Sequence, residues 1–267
     1  MSALKTAWFS CWYAIAFLTR IPTPNLSKAL TENNQTISQC SLYFYPLVGM
    51  VIGLALFFIY AVFSWQVGQT TTVFHSSSLL IAAFILSVWC LITGGLHIDG
   101  LADAGDAWVG GYGDRQRTLD IMKDPTVGPM GAMLVVLVLL VKFAALVVLV
   151  DTLNGFLLFG ALMVIPMLAR FSILPLFYFT PYVRDKGLGS DIKRSISAGL
   201  LLLTTVICAV LSVIFLQQKA LFVFIIFTVI FVWARRIMMQ RIGGTTGDTA
   251  GALIEVQEAL LLAALVL

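Results

Sequence analysis

Seven stretches of this 267-residue chain are long and apolar enough to cross a lipid bilayer, and the rest of the sequence must be arranged around them. A crossing needs about 20 mostly apolar residues, within a range of about 17–25. The windows lie near 42–64, 79–95, 132–150, 155–179, 198–216, 219–234 and 250–267. The sixth is short, and Pro166 and Pro175 predict a kink or break in the fourth. Residues 6–18 are too few to span and read as an interfacial or re-entrant segment. Charged residues are 11% of the chain and hydrophobic ones 60%, whereas a soluble domain carries about a quarter charged residues. The expected fold is all-α: a polytopic integral membrane bundle of about seven transmembrane helices, range six to eight, in one domain over 1–267.

Loop charges orient such a bundle. With the N-terminus inside, 13 of the 16 Lys and Arg residues fall on the inner side: Lys5, Arg20 and Lys28, then residues of the 96–131, 180–197 and 235–249 loops. Only Lys219 falls outside, while Lys142 and Arg170 sit within spans. The bases are spread over several loops, so no nucleic-acid stripe is present. Cys11, Cys40, Cys90 and Cys208 show no metal or redox spacing. The apolar start lacks a small-residue cleavage site, so no cleaved leader is expected.

Against this background Thr93–Gly131 stands apart, because it holds six of the thirteen acids. Crowded carboxylates repel one another unless a positive charge neutralises them. Beside a bilayer, such acids point to a divalent cation, and the neighbouring glycine turns point to phosphate chemistry. Asp99, Asp103 and Asp106 are spaced i, i+4, i+7, on one face of a helix predicted over Ile98–Trp108. Asp120 and Asp124 form a second pair after the bend Gly110–Gly113 and would complete the site from the opposite side. A solvated polar helix face is the competing explanation, weaker for the first trio than for the second pair. Asp114 reads as a turn residue beside Arg115 and Arg117. His97 is open to roles as base, ligand, substrate contact or structural hydrogen-bonding group, and Lys123 to phosphate contact or surface anchor.

A second polar segment runs from Arg241 to Glu258. Gly243, Gly244 and Gly247 permit close backbone approach to a ligand, with Thr245 and Thr246 beside them. Asp248 or Thr249 reads as the N-cap of the last helix, exposing amide groups suited to an anion. Glu255 and Glu258 enter an otherwise apolar helix, and the intramembrane bases Lys142 and Arg170 either pair with such acids or bind an anionic ligand. RDKGLGS, Arg184–Ser190, is a basic turn, open to phosphate contact or anchoring, and so is Arg20 in FLTRIPTP.

Taken together these blocks resemble the cobalamin synthase family, adenosylcobinamide-GDP ribazoletransferase. The resemblance covers nearly the whole chain: FLTRIPTP at Phe17–Pro24, YFYPLVGMVIG at Tyr43–Gly53, TGGLHIDGLADAGDAW at Thr93–Trp108, LDIMKDPTVGPMG at Leu119–Gly131 and GGTTGDTAGALIE at Gly243–Glu255. Ala107 stands where the family often has glycine, and Asp120 where glutamate is common. The resemblance implies an Mg²⁺-dependent enzyme that joins adenosylcobinamide-GDP to α-ribazole or α-ribazole 5′-phosphate, releasing GMP. It implies a prokaryotic inner membrane with the active-site loops cytoplasmic. A homo-oligomer, or association with other cobalamin assembly enzymes, stays open. The residues expected to hold metal are Asp99, Asp103, Asp106, Asp120 and Asp124. His97, Asp103, Asp106 and Lys123 are expected in catalysis, and Arg20, Arg170, Gly243, Gly244, Thr245, Asp248 and Glu255 in substrate binding. Two rivals are a lipid enzyme like the CDP-alcohol phosphotransferases, whose acid spacing differs, and a cation-coupled transporter, whose site belongs near the midplane rather than at one face.

Overall fold

A computed structural model describes residues 2–68, 74–153, 155–184 and 196–267, with the side chains at 32, 66–68 and 74–76 excepted. Twelve α-helices are named among the described residues: α1 (Ala3–Leu18), α2 (Ser27–Ser41), α3 (Tyr45–Gly68), α4 (Phe74–Thr93), α5 (Leu96–Gly110), α6 (Arg115–Ile121), α7 (Pro129–Thr152), α8 (Gly155–Phe171), α9 (Ile173–Phe179), α10 (Ala198–Leu216), α11 (Ala220–Ile242) and α12 (Gly247–Val266). The all-α expectation holds, and each of the seven apolar windows is helical. The 6–18 segment is the body of α1, packed on α2 and the start of α3. The polar helix α2 lies outside every apolar window, and Asn33 (φ −145°, ψ 34°) kinks it.

Five helical runs are long and apolar enough to cross a membrane, or six when the bent α4–α5 pair is taken as one. One of the five is a 45-residue run, Ala198–Ile242. It is not one rod. Gln217 sits at φ 52°, a left-handed break between α10 and α11. Ser197, before α10, donates its backbone N–H to the Tyr43 hydroxyl, while Lys219, before α11, donates to the carbonyl of Leu265 at the far end of α12. The chain therefore goes out along α10 and returns along α11, as the separate windows predicted. α4, at 20 residues, has the length of a crossing by itself.

Burial separates centre from periphery. The α8–α9 window is 89% buried and that of α12 72%, against 22–28% for the windows on α3, α7 and the α10–α11 run. The inner pair is the core, and the outer helices present Leu, Val, Ile and Phe outward, as lipid-facing helices do. Gly49 and Gly53 let α3 lie directly on α8: a β-carbon at either would fall 2.2–2.3 Å from the carbonyl oxygens of Leu162 and Pro166. Pro166 sits inside α8, and Ser172 marks the break between α8 and α9.

Candidate active site

Two consecutive left-handed glycines, Gly94 (φ 62°) and Gly95 (φ 72°), turn the chain by 87° between α4 and α5. Only glycine takes successive positive φ values without steric cost. The turn sets α5 nearly perpendicular to α4, and α5 carries Asp99, Asp103 and Asp106. Arg20 packs against this turn: a β-carbon at Gly94 would meet its side chain at 2.2 Å, and its backbone N–H donates to Ile92. Arg20 as a residue is exposed beside the start of the acid helix.

α5 packs closely on α12 through glycine. A β-carbon at Gly100 would lie 2.8 Å from the carbonyl oxygen of Asp248, and one at Gly251 3.3 Å from Cα of His97. This contact brings the acids of α5 to the start of α12. Burial, followed by the charges of Asp99 and Asp248, pushes the Asp103 carboxyl up to about 6, with Arg184 pulling the other way. Asp99, Asp103 and Asp248, with a smaller contribution from Asp106, thus form one repelling acidic group from two helices.

The N-cap of α12 differs from the sequence expectation. Thr246, rather than Asp248 or Thr249, is the cap, and Thr249 completes a reciprocal capping box with it. A hydroxyl at N3 answers the hydroxyl at the cap, and Asp248 is left free to turn outward. Its carboxylate accepts from Arg184 Nη2 at 2.6 Å. Arg184 is delivered by a short parallel bridge, in which Thr245 N–H donates to Pro181 and Val183 N–H to Thr245. Gly244 is required there, because a β-carbon would fall 2.2 Å from the Pro181 carbonyl oxygen. Gly243 (φ 71°) ends α11, and Thr245 is wholly buried. Close backbone approach, expected toward a ligand, is thus made by Gly244 to residue 181, while Gly247 has open space above it. Residues 185–190 of the RDKGLGS turn lie outside the described residues.

The other candidates sit as follows. Asp106 accepts from the backbone N–H groups of Gly128 (2.7 Å) and Gly131 (2.9 Å), holding the start of α7. Asp120 is exposed, paired with Lys123 at 3.6 Å and with Gln116 at 3.1 Å. Asp124 is exposed and accepts from the backbone and hydroxyl of Thr126, hydrogen bonds that lower its carboxyl from the usual range. Neither enters the electrostatic surroundings of Asp103. Asp114 caps α6, in agreement with its reading as a turn residue. Ala107 is fully buried on α5. Among the described residues no three His, Cys, Asp or Glu side chains converge as a ready metal cage.

Arg170 and Glu255 lie deeper, inside the bundle. Lys142 donates to Glu255 at 2.6 Å and to Glu258 at 2.5 Å, and Arg170 donates to Glu258. The four are buried, two positive and two negative, and the Trp89 ring lies 4.9 Å from the Lys142 ammonium. Of the alternatives open for the intramembrane bases, pairing with acids is the one realised.

A cavity of about 200 Å³ opens between α1, α3, α5, α9 and α12, with His97, Asp99 and Asp248 among its lining. His97 is 3% exposed and neither ring nitrogen has a partner. Burial, and then the charge of Arg170, pushes its imidazole down to about 3, so the ring is neutral at any physiological pH.

Carboxylates at a bundle mouth beside an aromatic cavity suit phosphate chemistry, and comparison with known proteins decides the family. The pattern of the cobalamin-5-phosphate synthase family matches residues 10–266. This chain belongs to that family. Among its relatives named adenosylcobinamide-GDP ribazoletransferase, that of Pseudomonas fluorescens Pf-5 is 41% identical over 94% of this chain and 96% of its own. That of Pseudomonas entomophila is 42% identical over 96% and 98%. That of Acinetobacter baumannii is 39% identical over 94% of both. No solved structure matches. The chain is a multi-pass membrane transferase of cobalamin nucleotide-loop assembly.

Proposed function

We propose that this chain joins adenosylcobinamide-GDP to α-ribazole, or to its 5′-phosphate, with release of GMP, and that it does so with Mg²⁺ at the inner face of a prokaryotic cytoplasmic membrane. The observation that carries the reading is the meeting of Asp99 and Asp103 with Asp248 where α5 packs on α12. Relatives of similar length named for this transfer support it. The concentration of Lys and Arg in the loops on the acid side supports the orientation.

The donor set fits the metal. Its ligating atoms are carboxylate oxygens, the hard donors Mg²⁺ prefers, and Mg²⁺ keeps room for waters and substrate phosphate oxygens. Asp99, Asp103 and Asp248, which are near enough to repel one another but do not converge as a closed cage among the described residues, are the residues that would hold it, with waters and phosphate oxygens completing its shell. When bound it supplies positive charge against the diphosphate and the charge that develops on it during displacement. Asp106, already committed to the backbone of α7, contributes by fixing the helix. Asp120, Asp124 and Lys123 stay on the exposed α6 loop.

The bond to be formed joins the α-ribazole 5′-oxygen to the phosphorus nearest cobinamide, and the bond broken is the P–O link to GMP. Displacement of this kind needs positioning and charge neutralisation more than covalent help. Arg184, held on Asp248, supplies a fixed cation beside the acidic group, and Arg20 lies against the Gly94 turn that opens α5. His97 is a poor proton acceptor because burial suppresses its basicity, so the hydroxyl proton passes to a carboxylate of the acidic group. The test is purified protein in liposomes given adenosylcobinamide-GDP, α-ribazole and Mg²⁺. Stoichiometric GMP and adenosylcobalamin are expected. A folded preparation that yields neither refutes the reading, and turnover of a CDP-alcohol or coupled ion flux instead would point to one of the rivals.

A further inference from the structure

The cavity beside the acidic group has a specific character. Two aromatic pairs build its walls: Phe17 with Tyr45, stacked at 6.3 Å, and Phe177 with Tyr182, edge to face at 6.0 Å. Leu18, Leu96, Ile173, Ala250 and Ile254 supply the rest of the apolar lining. Besides the hydroxyls of Tyr45 and Tyr182, the polar side chains of the lining are His97, Asp99 and Asp248, from α5 and the start of α12. At about 200 Å³ it is smaller than the roughly 300–1,000 Å³ of a pocket for a whole drug-sized ligand, so it takes one part of a substrate.

We infer that this chamber is the subsite for the flat base of the nucleoside acceptor, with the base between the aromatic pairs, His97 on its free ring nitrogen and its ribose directed to Asp99 and Asp248. The inference rests on the function proposed above and specifies where one of its two substrates binds. Its ground is the pairing of needs. His97 is buried with both ring nitrogens unpartnered, and such a group is costly unless a ligand completes it. A neutral imidazole offers one donor and one acceptor. The benzimidazole base of α-ribazole is apolar and bicyclic, and carries a single ring-nitrogen acceptor once its other nitrogen bears ribose. It meets the His97 donor and otherwise asks only for apolar and aromatic surface. Guanine, the base of the other substrate, is more polar: an edge turned to Asp99 and Asp248 could be paired, but its remaining donors and acceptors would face the apolar and aromatic walls, which favour the less polar base. A corrinoid is too large to enter. With the base inside, the acceptor hydroxyl emerges beside the carboxylates of α5 and α12.

The experiment is steady-state kinetics in liposomes with each substrate varied in turn. His97→Phe keeps an apolar ring but removes the donor. It is expected to raise KM for α-ribazole about tenfold, and to leave KM for adenosylcobinamide-GDP within about twofold. An unchanged KM for α-ribazole, or a rise confined to adenosylcobinamide-GDP, overturns the inference. Ile254→Phe guards against general damage because its readout is a preference. By narrowing the chamber it should shift the ratio of kcat/KM toward unmethylated benzimidazole riboside over α-ribazole by about tenfold, and an unshifted ratio overturns the inference. Failure of the wild-type protein to release GMP with any acceptor would instead sink the underlying function, so the two failures are distinct.

Discussion

Gly100 of α5 lies directly on the backbone of Asp248 of α12, so close that a β-carbon would stand 2.9 Å from its Cα. One small residue therefore sets the spacing of the acids on two helices. Gly100→Ala must push the helices apart, and a misplacement of about 1 Å at reacting groups can cost about a hundredfold in rate. The expected outcome is a fall in kcat of that order and a stability loss of about 1–3 kcal/mol. Gly155→Ala, where nothing lies within 4 Å, is the control and should stay near wild type. Thermal unfolding in detergent and GMP release measure both.

Asp103 shows the cost of crowding acids. Its carboxyl is raised to about 6 by burial and by Asp99 and Asp248, against an ordinary value of 3.8. A carboxyl raised on folding binds protons more tightly in the native state, so native stability falls as pH climbs from about 4 to about 6 and stays reduced above that. Asp103→Asn removes the titration. It should abolish turnover at pH 7.5 while stabilising the fold there by about 1 kcal/mol, solvent screening at this half-buried position having reduced the gain. Near pH 4 the gain should vanish. Unfolding curves at the two pH values test the sign, and a destabilised variant at pH 7.5 would contradict it.

Asp106 holds the start of α7 by accepting from Gly128 and Gly131, which makes it a cap supplied by another helix. Asp106→Ala should cost about 1–2 kcal/mol, the range for losing a helix cap. Amide exchange should rise at residues 128–132 first. If Asp106 were instead chiefly a metal ligand, the variant would need more Mg²⁺ for half-maximal turnover, without this local fraying.

These three positions also show what could be read in advance. The i, i+4, i+7 spacing placed Asp99, Asp103 and Asp106 on one helix face, and the apolar windows located the membrane helices, because both patterns are local. Asp106's engagement was hidden, since its partners lie more than twenty residues on, in a turn whose path depends on α5 packing on α7. The pairing of Arg184 with Asp248 was equally hidden, because it depends on the bridge between Tyr182 and Thr245. The cap on α12 lies two or three residues before the expected Asp248 or Thr249, although Thr246 and Thr249 are spaced as a capping box that the sequence itself displays. Charges in apolar windows flagged Lys142, Arg170, Glu255 and Glu258 as special, but only packing shows that they pair with one another.

That buried quartet yields the final prediction. Glu258 receives both Lys142 and Arg170, whereas Glu255 receives Lys142 alone. Removing one partner from a buried ion pair leaves an uncompensated charge, at a cost of about 3–5 kcal/mol. Glu258→Gln strands the Arg170 guanidinium, two of whose nitrogens already lack partners, so it should unfold at markedly lower temperature than wild type. Glu255→Gln leaves Lys142 bound to Glu258 and should cost less. Removing both members of a pair, Lys142→Met with Glu255→Met, leaves Arg170 with Glu258 and restores charge balance, so it should recover most of the stability lost by Glu255→Met alone. Thermal unfolding of these variants in detergent, with GMP release from the folded fraction, separates a structural lock from a catalytic role. A double variant that is stable but inactive would place the quartet in the chemistry, and one that is stable and active would confine it to holding α7, α8 and α12 together.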